Sequence, residues 1–126
     1  MPDLSLSGRS TVESFASNLG LDARPAADGS YNFVFERLGT LSIMPTDREA
    51  GALIALTRAP RSNSADYERK LLAAGGIDPD TNELIYSAIT EDGSHVFAVD
   101  FDEARWSLPE LDGTLGRLAG FHDATR

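Results

Sequence analysis

The chain has 126 residues, a length that fits a single domain spanning residues 1–126. It contains no cysteine, which excludes a disulfide framework, a thiolate nucleophile and a cysteine-based zinc site. Its formal net charge of −9 opposes non-specific binding to nucleic acid or to an anionic membrane. The sequence has no secretory signal pattern at its start and no apolar stretch of membrane-spanning length, so we expect a soluble protein of the cytoplasm.

A first helix is predicted between Ser10 and Gly20. Ser10 with Glu13 three residues later forms a capping box, and Gly20 suits the left-handed position that ends many helices. The apolar residues between these signals recur at helical spacing and predict one buried face: Val12, Phe15, Ala16 and Leu19.

Three strands and a short helix are predicted next. The stretch "YNFVFERLGTLSIMP" indicates two strands around a tight turn near Leu38-Gly39. A third strand is expected from Ala52 to Arg58, where the apolar residues point to both sides. A short helix in "SADYERKLLAAGG" is predicted to begin at a cap between Ser62 and Ser64 and to end at Gly75-Gly76.

A hairpin is predicted around Asp92-Gly93, because this dipeptide suits a type I′ turn. That turn pairs Leu84 with Phe101, and the neighbouring pairs build one strongly apolar face. The opposite face is also more than half apolar, although one face of a simple antiparallel sheet is normally solvated. This second face contains Ile85, Ser87, Ile89, Val96, Ala98 and Asp100.

The last predicted element is a helix that begins at Ser107. Ser107 and Glu110 form a second capping box, and Trp106 is placed to pack against Leu111. Leucines then repeat at helical spacing, while three glycines weaken the helix by up to about 1 kcal/mol each. The leucines are Leu108, Leu111, Leu115 and Leu118, and the glycines are Gly113, Gly116 and Gly120.

These elements predict an α+β fold in the order α-β-β-β-α-β-β-α. The strands would form a largely antiparallel, twisted, five-stranded sheet, accompanied by three short helices. One layer of short helices would leave part of one sheet face uncovered.

The polar motifs do not form a recognisable catalytic, cofactor or metal site. His95 is expected to be solvated beside the hairpin turn, and His122 to lie near the end of the last helix, where the helix dipole favours it. The stretch "DPDTNE" begins like a calcium loop but lacks the required glycine and glutamate at the later positions. The charged residues in "DFDEARW" fit the polar end of a strand better than an acid–base pair: Asp100, Asp102, Glu103 and Arg105.

An excess of apolar residues in the predicted strands is the remaining signal. Covering them with three short helices is one interpretation, and covering them with a second copy or an extended peptide is the other. The residues in question are Phe15, Val34, Leu41, Ile43, Ile54, Ile85, Ile89 and Val96.

Small size, acidity, lack of cysteine and this order of elements resemble the class I type III secretion chaperones of Gram-negative bacteria. The segments that carry the resemblance are "YNFVFERLGTLSIMP", "ADYERKLLAAGG" and the stretch from Leu84 through the last helix. The resemblance implies a homodimer without enzymatic activity or cofactor. It also implies that the dimer binds the N-terminal segment of a secreted effector as an extended chain and keeps it competent for secretion.

The resemblance implies two groups of functional residues. The second helix would form the dimer interface through Tyr67, Glu68, Leu71 and Leu72. The first helix and the sheet would contact the effector, and the apolar excess of the hairpin extends that surface. The predicted effector-binding residues are Val12, Phe15, Leu19, Val34, Leu41, Ile43, Ile85, Ile89 and Val96.

Two other functions remain open from the sequence. One is a stand-alone interaction, immunity or regulatory protein that binds a folded partner on the same fold. The other is a small enzyme or ligand-binding protein that uses the acidic cluster near Asp100.

Overall fold

A computed structural model describes residues 4–46, 51–59, 65–77, 84–102 and 107–124 of the chain. It contains the predicted α+β fold, with helices and strands in the expected order. The helices are α1 (Leu6–Asn18), α2 (Ala65–Ala73) and α3 (Leu108–Ala124). The strands are β1 (Tyr31–Phe35), β2 (Gly39–Pro45), β3 (Gly51–Arg58), β4 (Gly76–Ile77), β5 (Leu84–Ile89) and β6 (His95–Asp102).

The strands form one antiparallel sheet in the order β1-β2-β3-β6-β5-β4. The sheet has six strands rather than the predicted five, because Gly76 and Ile77, shortly after the end of α2, pair with β5 as the short strand β4. β1 and β4 are the edge strands, and β3 and β6 occupy the centre.

The beginning of α1 differs from the prediction, whereas its end agrees. Ser5 caps the helix, its hydroxyl accepting a hydrogen bond from the Gly8 N–H at 3.0 Å, so Ser10 lies inside the helix. Gly20 has φ of +70°, and its N–H and that of Leu21 donate to carbonyls in the last turn. This is a Schellman ending, which requires a residue that tolerates positive φ.

The register of the β5–β6 hairpin differs from the prediction by one residue. Thr90 N–H donates to the Ser94 carbonyl at 2.9 Å and Gly93 N–H to the Thr90 carbonyl at 2.9 Å, with Gly93 at φ of +86°. The loop is therefore a three-residue turn with a left-handed last residue, not a two-residue type I′ turn. Ile85 consequently pairs with Val99, and every β5 side chain lies on the face opposite to the predicted one.

The start of α3 agrees with the prediction. The Glu110 N–H donates to the Ser107 hydroxyl at 3.3 Å, which confirms Ser107 as the helix cap. Trp106 and the predicted cap of α2 at Ser62 to Ser64 lie outside the described residues.

One face of the sheet, here called the inner face, carries the hydrophobic core. Phe15 of α1 packs edge-on against Phe33 of β1, with ring centroids 5.8 Å apart. Phe97 of β6 contacts the ring of Phe121 of α3, also at 5.8 Å. On α2, the Leu72 carbonyl accepts a hydrogen bond from the hydroxyl of an inward-facing β5 serine, so this helix also lies on the inner side. The core strand positions are Tyr31, Phe33, Leu41, Ile43, Ala52, Ile54, Leu56, Ile85, Phe97, Val99 and Phe101.

Candidate partner-binding surface

The opposite face of the sheet, here called the outer face, is not covered by any of the described helices, which all pack on the inner side. Successive side chains of a strand point to opposite faces, so the cross-strand pairs identify which residues lie on the outer face. One row across the outer face follows from the cross-strand pairs. It consists of Met44, Leu53, Asp100, Leu84 and Ile77.

Two more rows lie beside the first. Ala55 pairs with Ala98 at the centre of the sheet, and both are almost fully buried although they point outward. Their short side chains lie below the larger neighbours and form a shallow floor. The second row contains Asn32, Ser42, Ala55, Ala98 and Tyr86, and the third contains Val34, Thr40, Thr57, Val96 and Ala88.

Large apolar side chains on this face remain in contact with solvent. The exposed fraction is 76% for Val34, 67% for Ile77, 47% for Leu84 and 44% for Tyr86. Ile77 and Leu84 are direct cross-strand partners, and Tyr86 follows two residues later on the same face. Contiguous exposed apolar side chains of this kind mark contact sites for other macromolecules.

The charged side chains at the described strand positions of the outer face are all acidic. Among its described strand positions, the charged side chains are Asp100 and Asp102, and both are exposed. Basic side chains are absent from these same positions, although solvated sheet faces commonly carry lysine or arginine. The face therefore combines apolar contact area with negative charge at one end of β6.

The structure divides the apolar residues for which the sequence left two interpretations, cover by the helices or cover by a partner. Five of the predicted effector-binding residues are buried in the core of this chain, because α1, α2 and α3 cover the inner face. Their side chains reach no partner unless those helices move. These five are Val12, Phe15, Leu41, Ile43 and Ile85.

The other four predicted effector-binding residues lie in different places. Val34 is exposed on the outer face, and Val96 is partly buried on the same face. Ile89 is partly buried on the inner face, and Leu19 is exposed at the end of α1. The predicted set therefore does not form one surface.

The predicted dimer residues on α2 are also divided. Leu71 is fully buried in the core and Leu72 is half exposed, while Glu68 is partly buried. The Ser87 hydroxyl donates to the Leu72 carbonyl at 3.0 Å and fixes the end of α2 to β5. The Tyr67 side chain lies outside what the structure describes.

The two histidines are buried on the inner side, which corrects the expectation of a solvated His95. His122 Nε2–H donates to the Leu56 carbonyl at 2.7 Å, and its ring packs edge-on against Phe97 at 4.8 Å. His95 pairs across strands with Arg58. Arg58 is largely buried and holds α3 to β3 through an ion pair of 2.8 Å with Asp123.

This arrangement does not assemble a catalytic centre from the predicted acidic cluster. Asp100 and Asp102 lie exposed on the outer face, whereas the histidines lie on the inner side of the sheet. Glu103 and Arg105 are outside the described residues. Within the described ranges, no cluster of three or more potential metal-ligating side chains occurs.

Helices of membrane-spanning length and hydropathy are absent from the part of the chain that the structure describes.

Sequence reasoning missed several residues of the outer face. It placed Leu84 and Tyr86 on the face that also contains Val99 and Phe101, and it assigned no site to Leu53 or Ile77. For Leu84 and Tyr86 the signal is the hairpin register, which a three-residue loop before Ser94 would have given.

No protein-family model matches the chain, and no curated protein matches its sequence. The fold, in contrast, resembles several solved structures. A chain of the Yersinia pestis type III secretion chaperone SycH in complex with a stable fragment of YscM2 has a TM-score of 0.68 and 18% identity, with 94% of this chain and 99% of that chain covered. A chain of the HopA1–SchA chaperone–effector complex has a TM-score of 0.67 and 17% identity, covering 96% and 91%.

The fold is also similar to that of an uncharacterized protein from Methanothermobacter thermautotrophicus. The TM-score is 0.62 and the identity 12%, with 94% of this chain and 93% of that chain covered. At such identities the similarity concerns the fold and not the activity. The inner helices, the antiparallel sheet and the order of elements together show that this chain has the fold of the type III secretion chaperones.

Proposed function

We propose that this protein is a non-enzymatic chaperone that binds the N-terminal segment of a secreted effector as an extended chain and keeps it competent for secretion. The observation that carries the proposal is the outer face, which leaves large apolar side chains in water while the helices cover the other side. The similar folds in chaperone complexes support the same function.

The shape of the outer face suits an unfolded segment. Ordering an extended chain costs conformational entropy, so its binding requires many apolar contacts over a large area. The rows through Leu53 and Tyr86 offer such contacts without a deep cleft, and the floor at Ala55 and Ala98 leaves room for side chains of the segment.

The edge strand β1 offers a second kind of contact. An edge strand presents backbone groups that can pair with an added strand, and Val34 on β1 presents an exposed apolar side chain beside them. A segment that pairs with β1 would satisfy its own backbone there and continue onto the outer face.

We further propose that the chaperone acts as a homodimer in the bacterial cytoplasm. The exposed side chain of Leu72 on α2 supports an interface at that helix.

Leu72→Asp would place a charge in a desolvated contact and should convert a dimer into a monomer, as measured by sedimentation. Leu6→Asp, at an exposed position of α1, is the matched control and should leave the size unchanged. A Leu72→Asp protein with the mass of the wild type would argue against this interface.

The proposed function is tested by co-expression. The chain would be co-expressed with the first hundred or so residues of a secreted protein whose gene lies next to the gene of this chain. We expect the segment to become soluble and to co-purify with the chain. A segment that stays insoluble and does not co-purify would contradict the proposal.

A second candidate function is an interaction protein that binds a folded partner. The similar fold of the Methanothermobacter thermautotrophicus protein supports this second function, because that protein is uncharacterized and is not named as a secretion chaperone. The two functions differ in the state of the bound polypeptide. If the amides of the partner exchange rapidly when it is free and become protected in the complex, the chaperone function is supported. If the free partner is already protected, the second function is supported.

A further inference from the structure

We propose that two loops with the same hydrogen-bond pattern protect Asp28-Gly29 and Asp92-Gly93 from conversion to isoaspartate, so that these sites convert only when their loops open. Asp-Gly is the aspartyl linkage most prone to this conversion, because glycine has no side chain to hinder the approach of its nitrogen to the aspartyl group. Such protection is independent of the proposed function.

The conversion begins when the backbone nitrogen of the glycine attacks the side-chain carbon Cγ of the preceding aspartic acid. A C–N bond forms, the nitrogen loses its proton and the carboxyl group loses its hydroxyl, so one water leaves and a succinimide ring remains. Water then opens the ring, and opening at the original backbone carbonyl leaves the main chain running through the aspartyl side chain. The reaction therefore requires a free glycine N–H and a carboxyl group that can reach the nitrogen.

The first loop spans residues 26–30, directly before β1. The Gly29 N–H donates to the Ala26 carbonyl at 2.9 Å, and the Ala26 N–H donates to the Ser30 carbonyl at 2.7 Å. The Asp28 carboxylate accepts hydrogen bonds from the Ser30 N–H at 3.0 Å and from the Ser30 hydroxyl at 2.6 Å. The nitrogen and the carboxylate are thus both engaged, although Asp28 itself is exposed.

The second loop spans residues 90–94 and joins β5 to β6. The Gly93 N–H donates to the Thr90 carbonyl, and the Thr90 N–H donates to the Ser94 carbonyl, both at 2.9 Å. The glycines of the two loops have nearly equal φ, +85° and +86°. The Asp92 carboxylate accepts from the Ser94 N–H at 3.1 Å and from the Thr90 hydroxyl, so here the hydroxyl comes from the start of the loop.

These hydrogen bonds slow ring closure in two ways. An amide whose N–H is hydrogen-bonded loses its proton only after local opening. The Ser30 hydroxyl on Asp28 and the Thr90 hydroxyl on Asp92 also lower the pKa of each carboxyl below its ordinary value of 3.8. The protonated carboxyl, which has a hydroxyl to lose, is therefore rarer than in an unfolded chain at the same pH.

Protection of Asp92 also preserves the outer face. Isoaspartate lengthens the backbone by one methylene, and at Asp92 it would do so in the loop that sets the register of β5 against β6. Leu84 and Tyr86 lie on the outer face because of that register.

The test measures isoaspartate at each site during prolonged incubation of the full chain. Peptide mapping with electron-transfer fragmentation distinguishes isoaspartate from aspartate. Both loop sites should convert at least about tenfold more slowly in the folded chain than in the chain unfolded in guanidinium chloride at the same pH. The third Asp-Gly linkage, Asp112-Gly113 in α3, is an internal reference for unfolding of the whole chain.

Two variants separate the loops, and each is the matched control for the other. Thr90→Val, at an exposed position, removes the hydroxyl that holds Asp92 and should speed its conversion about fivefold, the effect of one lost hydrogen bond. Conversion at Asp28 and Asp112 should stay at the wild-type rate. Ser30→Ala should speed conversion at Asp28 alone, for the same reason.

Three results would overturn the proposal. The first is conversion of the loop sites at equal rates in the folded and unfolded chains. The second is a Thr90→Val protein in which Asp92 converts at the wild-type rate, because the hydroxyl would then protect nothing. The third is equal acceleration of all three Asp-Gly sites by Thr90→Val, because conversion would then follow unfolding of the whole chain and not opening of one loop.

Discussion

Gly39 shows how one residue can be required by its surroundings. It is the first residue of β2 and has φ of +116°, a backbone conformation that residues other than glycine rarely adopt. A methyl group at this position would also overlap the Thr57 carbonyl oxygen and come within 2.9 Å of Arg58 Cγ. The turn and the neighbouring strand β3 therefore both depend on glycine here.

Gly39→Ala is expected to destabilise the protein by roughly 2–4 kcal/mol, because strain and overlap add together. Gly20→Ala provides the matched control, since Gly20 also has positive φ but has open space around its Cα. The control should cost only about 1 kcal/mol. Urea unfolding of the two variants measures the difference, and equal losses would show that overlap at Gly39 contributes nothing.

Residues such as Gly20 and Ser107 were predictable from sequence because their function is local. A left-handed helix ending and a helix cap depend on neighbours within a few positions, and both are confirmed. The burial of His95 and His122 was not predictable in this way. His122 contacts Leu56 and Phe97, and His95 pairs with Arg58; in each case the partner comes from a distant part of the chain.

At the scale of an element, the β5–β6 hairpin shows a feature that the sequence did not predict, namely the length of its loop. Asp92-Gly93 is compatible with two loop lengths, and the sequence pattern does not distinguish them. In the structure the Thr90 hydroxyl and the Ser94 N–H both donate to the Asp92 carboxylate, which supports the three-residue loop. A one-residue change in loop length exchanged the two faces of β5.

The same hydrogen bonds predict a pH dependence. Hydrogen bonds from the Thr90 hydroxyl and then from Ser94 lower the pKa of Asp92 below its ordinary value of 3.8. Because the folded pKa is the lower one, the carboxylate stabilises the hairpin above the unfolded pKa, and this stabilisation is lost as the pH falls through the folded value.

Amide exchange in the loop measures this effect. Exchange of Ser94, corrected for its intrinsic pH dependence, should show increasing opening as the pH falls from about 4, and Asp92→Asn should remove that dependence. An Asp92 pKa at or above its ordinary value, measured by NMR, would contradict the assignment.

At the scale of the whole molecule, the described helices lie on one side of the sheet, and the other side is a largely apolar face that none of these helices covers. The order of elements was enough to predict the α+β fold, because each helix and strand has its own local pattern. The division of apolar residues between the faces was not predictable. In "ALIALTR" of β3 the apolar residues lie on both faces, so no alternation marks the side that the helices cover.

The outer face gives the most direct test of the proposed function. The quantity to measure is the affinity with which the effector segment from the co-expression test, once obtained in soluble form, binds the wild type, Tyr86→Asp and Leu6→Asp. Tyr86 and Leu6 are both exposed, so neither substitution should unfold the chain, but only Tyr86 lies on the outer face. We predict at least tenfold weaker binding for Tyr86→Asp and wild-type binding for Leu6→Asp. Equal affinity of all three proteins, with each shown to be folded by circular dichroism, would contradict binding at the outer face.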